Sequence, residues 1–159
     1  MSHPPRDSGF TLIEVLVTVA VLGVMMAISL SGFSSWARAG EQSGTASELQ
    51  SLLRQTQQRA VTEGRAMCVQ FDVAANVYIV YTGACDNPAR VQVVGPIKTS
   101  APSVRVGSPG FTGPSGTSTG VTFYARGTAW PGTVKVTRTG ESKVYTLNVE
   151  GLTGRVSLT

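Results

Sequence analysis

Gly9-Phe10-Thr11-Leu12-Ile13-Glu14-Val15-Leu16-Val17 sets one carboxylate at the front edge of an apolar run in which no charged residue occurs from Val15 to Ala37. The run predicts a helix, and at 1.5 Å of rise per residue it would cover roughly 30 Å of hydrocarbon, enough to cross a membrane. Gly23, Ser29 and Ser31 do not break it. Glu14 is hard to explain as packing, because a carboxylate at membrane depth costs on the order of 2.5–3.5 kcal/mol on insertion scales and is tolerated mainly where a partner awaits it.

The block Gly9-Phe10-Thr11-Leu12-Ile13-Glu14 resembles the processing site of type IV prepilins and type II secretion pseudopilins. The resemblance implies that a prepilin peptidase cuts between Gly9 and Phe10 and methylates the new amino group of Phe10, leaving Glu14 as the assembly charge. The spacing has a physical reason. The freed amine is a cation, and pairing with Glu14, in the same helical turn or on a neighbouring subunit, removes the cost of two isolated charges in an apolar setting. Residues 1–9 are then a leader, and their two prolines do not favour a helical turn.

Two plainer readings compete. Ordinary secretory cleavage would use Ala27-Ile28-Ser29 or Ser29-Leu30-Ser31, but the only basic residue ahead of the apolar run is Arg6, beside Asp7. A simple single-span anchor leaves Gly9-Phe10 and Glu14 without a reason.

Beyond the leader (1–9) and the transmembrane and assembly helix (10–37), an amphipathic continuation is expected over 38–64. Ala46, Leu49, Leu53, Thr56 and Ala60 fall on one face, Gln50, Arg54, Gln57 and Gln58 lie elsewhere on the wheel, and Gly64 is placed to stop it. Gly40 and Gly44 weaken the middle, where a bend or local loosening is expected.

Residues 65–159 read as a β-rich head. Met67–Val73 and Val77–Tyr81 flank Ala74-Ala75-Asn76 as a hairpin, and Val121–Tyr124, Thr133–Thr137 and Lys143–Val149 supply further strands. Val134 and Val136 alternate with polar neighbours, so one face should be buried and the other wet. Gly107–Gly120, glycine-rich and far too short for collagen, reads as a mobile surface loop. The fold class expected is α+β and pilin-like: a long amino-terminal helix, membrane-spanning in its first half, packed on a carboxy-terminal antiparallel sheet head.

Phe123-Tyr124-Ala125-Arg126-Gly127, the Thr133–Val149 hairpin and Gly154-Arg155-Val156 resemble, more loosely, the GspH/FimT group of minor pseudopilins. DNA-binding members of that group carry a second arginine two positions after the first; Ser157 stands there in this chain. The resemblances together imply a minor pilin or pseudopilin in an initiating or tip complex. It would sit single-pass in the inner membrane with its head outside the cytoplasm. Its partners would be the prepilin peptidase, other pilin or pseudopilin subunits and the inner membrane.

DNA is an alternative partner. Residues 65–159 hold nine Lys or Arg against four Asp or Glu within a chain of formal net charge +4. Lys135, Arg138, Lys143 and Arg155 would be the phosphate contacts, and ordinary solvation explains the same charges. Catalysis is poorly served. His3 is the only histidine and departs with the leader, and two cysteines without histidine give no zinc pattern, so no enzyme, metal or cofactor is expected. Cys68 and Cys85 come within reach of a bridge if the hairpin turns at Ala75, which would set Cys68 opposite about Thr82; two separately packed thiols are the other reading.

Overall fold

The computed structural model describes residues 10–159, with 29–39 described by backbone alone. The chain divides into two compact units, residues 1–39 and 40–159. One helix, α1 (Leu12–Thr62), contributes to both. Thr11 caps its start: the Glu14 amide donates to Thr11 Oγ1 at 3.3 Å and to the Thr11 carbonyl at 3.1 Å. Threonine at the cap with glutamate three residues on is the sequence signature of a helix start. Gly64, at φ 65°, ends α1, with Arg65 N–H on the Ala60 carbonyl and Gly64 N–H on the Val61 carbonyl. Glycine adopts that left-handed backbone without penalty, which satisfies the last carbonyls of the helix.

In the second unit α1 buries the predicted face. Ala46, Leu49, Leu53 and Ala60 are fully buried, and Thr56 lies with them. Two antiparallel sheets complete the core. The first has the order β3 (Val91–Lys98), β2 (Val77–Thr82), β1 (Met67–Asp72), β6 (Gly120–Phe123). The second has the order β5 (Gly116–Ser118), β4 (Val104–Gly113), β7 (Gly132–Arg138), β8 (Tyr145–Val149), β9 (Val156–Leu158). Alternation decides which side chains turn inward. Met67, Val69 and Phe71 do so from β1, and Val134 and Val136 from β7. Phe71 and Phe111 stack with ring centroids 6.0 Å apart, joining the two sheets through the core.

The structure corrects three expectations. Gly107–Gly120 is not a loop: it forms most of β4, the whole of β5 and the start of β6. Its neighbours show what the glycines are for. A Cβ on Gly113 would lie 2.8 Å from the Trp130 indole, one on Gly120 would lie 2.8 Å from Cys85 Sγ, and Gly132 of the facing strand sits against Gly110 and Phe111. Close approach of backbone to neighbour, rather than mobility, requires glycine at positions 113, 120 and 132. Second, Lys143 and Val144 precede β8 instead of opening it. Third, Cys68 faces Tyr81, and it is Met67 that faces Thr82.

Candidate functional site

The amino-terminal unit presents apolar side chains to every side. Phe10 is 82% exposed, and Leu12, Ile13, Val15, Leu16, Val17, Val19, Leu22, Val24, Met25, Met26 and Ile28 are all exposed with it. A helix apolar all round has no face that prefers water, so it requires lipid or neighbouring helices. Glu14 lies in its first turn, where the helix dipole favours a carboxylate. Gly9, the expected cleavage determinant, lies outside the described residues. Among the described residues no helix is long and apolar enough to cross a membrane. Positions 29–37 of the expected span lie outside the residues whose side chains are described.

Cys68 and Cys85 form a disulfide with Cα atoms 5.0 Å apart. It pins the segment after β2 onto the face of the first sheet turned away from the core, since Met67 and Val69, on either side of Cys68, point inward. Arg90 reinforces the attachment. One of its guanidinium nitrogens, Nη1, donates to Gln70 Oε1 at 3.2 Å, to the Cys85 carbonyl and to Cys68 Sγ at 3.8 Å, while the group lies 4.6 Å from the centroid of the Tyr81 ring.

The four candidate DNA contacts do not gather on one face. Lys135 points outward from β7, between the inward Val134 and Val136. Arg155 is exposed just before β9. Counting strand rise and strand spacing from the register puts the two about 16 Å apart. Arg138 instead pairs with Glu41 of α1 at 2.9 Å. Lys143 sits over the Tyr145 ring at 4.7 Å, and its carbonyl accepts from Gln42.

Several influential residues carry no local signal in the sequence. Gln42, almost fully buried, donates from Nε2 to the carbonyls of Val136 at 3.1 Å and Lys143 at 2.8 Å, tying α1 to the hairpin. Gln57 does the same at the other end of the sheet, donating to Thr153 O at 2.8 Å and to Gly127 O at 3.4 Å. Gly154, at φ 61° and packed against Gln57 and the Gly127 carbonyl, lets those loops meet, with Arg126 and Arg155 exposed on either side of the contact. Tyr78 is buried in the core, and its hydroxyl is pushed up to about 12 by that burial and by the charge of Glu48. Among the described residues no three His, Cys, Asp or Glu side chains gather as metal ligands would.

A helix packed on antiparallel sheets, prolonged at its amino end by an exposed apolar stretch, defines the class of pilin-like proteins. Residues 45–153 match the family profile of the type II transport protein GspH, and residues 4–30 match the prokaryotic N-terminal methylation motif. The chain belongs to the GspH family of type II transport proteins and carries the N-terminal methylation motif. No curated protein sequence matches it. Among solved structures it is similar to the type IV minor pilin FimU of Pseudomonas aeruginosa, at 19% identity and a TM-score of 0.59, covering 78% of this chain and 92% of that one. It is also similar to the minor pseudopilin EpsH of the Vibrio cholerae type 2 secretion system, at 15% identity and a TM-score of 0.55, covering 75% and 96%. At these identities the likeness concerns the fold.

Proposed function

We propose that the chain is cut by a prepilin peptidase between Gly9 and Phe10, N-methylated on Phe10, and held in the inner membrane by residues 10–37 with its head outside the cytoplasm. From there it joins a type IV pilus or type II secretion pseudopilus through its amino-terminal helix, in the initiating or tip complex. The observation that carries this reading is the exposure of apolar side chains on every side of α1 from Leu12 to Ile28, within the matched methylation motif. In a bilayer those side chains are solvated by lipid, and in a filament by the helices of other subunits. Glu14 is then the one charge of this stretch, and the amine of a neighbouring mature Phe10 is its counter-ion. Glu14→Ala should insert and be cleaved normally, because the substitution removes a charge and lies beyond the scissile bond, yet it should fail to copurify with its partner subunits. Normal incorporation of the alanine variant would remove this role from Glu14.

A second reading, a DNA receptor, rests on the exposure of Lys135 and Arg155 on the head. It calls for weak, sequence-independent binding that falls steeply with salt and is lowered further by Arg155→Ala. Absence of any duplex binding by the full chain in detergent at low ionic strength would leave these charges a solvating role.

A further inference from the structure

We propose that the Cys68–Cys85 disulfide is open to thiol exchange, entered at Cys85, with Arg90 stabilising the Cys68 thiolate that leaves. The proposal stands on the geometry of the head and is independent of how the chain assembles. The two sulfurs differ in access. Cys68 is fully buried, whereas Cys85 is half-buried and lines an open cleft of about 390 Å³ together with Gln70, Asp86, Trp130 and the hydroxyl-bearing residues Thr117, Ser118 and Thr119 at the edge of the second sheet. A thiolate arriving from solvent therefore meets Cys85 first.

Glycine at residue 120 leaves room for two groups of the cleft wall: a Cβ there would lie 2.8 Å from Cys85 Sγ and 2.9 Å from Gln70 Oε1. On the buried side the Arg90 guanidinium reaches Cys68, held by Gln70, the Cys85 carbonyl and the Tyr81 ring so that Nη1 points at Cys68 Sγ. A disulfide sulfur is a poor acceptor, but a thiolate accepts a charge-assisted hydrogen bond, so Arg90 favours the reduced protein over the oxidised one. A thiolate stabilised in this way is also a better leaving group.

The partner is a dithiol. One of its thiolates attacks Cys85 Sγ, forming a mixed disulfide and breaking the Cys68–Cys85 bond, and Cys68 leaves with the electron pair as a thiolate beside Arg90. The second thiol of the reagent then displaces Cys85 Sγ as a thiolate, so the reagent ends as a disulfide and two electrons have passed to the protein. Asp86 at the cleft favours a neutral or cationic thiol over an anionic one.

The full chain in detergent, equilibrated against graded ratios of reduced and oxidised dithiothreitol, gives the test. Arg90→Met should make the bridge about tenfold harder to reduce, a midpoint about 30 mV more negative, and Arg90→Lys should fall between Met and wild type. A purely structural Arg90, clamping the oxidised segment, predicts the opposite sign: its loss would make the bridge easier to reduce. That outcome, or an unchanged midpoint, overturns the proposal. In the wild type, brief treatment with cysteamine followed by acid quenching and peptide mass spectrometry should find the mixed disulfide on Cys85. An adduct on Cys68 would contradict the assigned direction of entry whatever the variants do.

Discussion

Single side chains hold this head together at two levels of α1. Gln42 and Gln57 each spend a carboxamide on two backbone carbonyls from segments distant in sequence, and Arg138 reaches Glu41 at 2.9 Å. The Val136 carbonyl is buried, and a buried carbonyl deprived of its donor costs about 1–3 kcal/mol, which is why Gln42 can occupy a packed interface. Tyr78 gives a consequence that pH can read. Its hydroxyl is raised to about 12 in the fold against an ordinary value of 10.0. The unfolded chain therefore releases this proton at lower pH than the folded chain does. The stability it contributes is complete below pH 10 and is lost as pH rises from about 10 through 12. Thermal melts should show this alkaline loss, and Tyr78→Phe should reduce it; an identical alkaline profile in the phenylalanine variant would remove Tyr78 as its cause.

Among the elements, those with strong local signals were legible from sequence and those defined by their neighbours were not. The buried face of α1 and the β1–β2 hairpin follow from three- and four-residue spacing and from β-branched alternation. β3 escapes notice because Val91-Gln92-Val93-Val94-Gly95-Pro96 ends its apolar run in a glycine–proline pair, and its pairing with β2 proceeds through register shifts that no periodicity announces. β4 and β5 were hidden by glycines that resemble a flexible linker, although one of them, Gly113, admits the Trp130 indole at close range. At the site scale the methylation motif, matched over residues 4–30, is contiguous and could be read directly. Arg90 has meaning only once β1, β2 and the segment 83–90 are superposed. The bridge itself closes a loop of sequence separation 17 across the first sheet, worth roughly 3 kcal/mol by loss of unfolded-chain entropy. Reduction of the full chain should lower its melting temperature by several degrees. Two titratable thiols in folded chain made under oxidising conditions would refute the bridge.

For the whole molecule, the two units have opposite needs. Residues 40–159 bury a core of their own between α1 and two sheets, while the large apolar side chains of residues 12–28 stay exposed and await a solvent other than water. A family profile over 45–153 and a methylation motif over 4–30 fall on these same two parts. The central claim is therefore that the amino-terminal part becomes functional by one cut, which exposes the amine that Glu14 pairs with. Coexpression of the full chain with a prepilin peptidase, followed by intact and amino-terminal mass spectrometry, tests it most directly. The account predicts a mature chain that begins with N-methylated Phe10 and an uncut precursor when Gly9 is replaced by a bulky residue. A chain left whole by an active peptidase, or one that begins between Ser29 and Gly32, would contradict it.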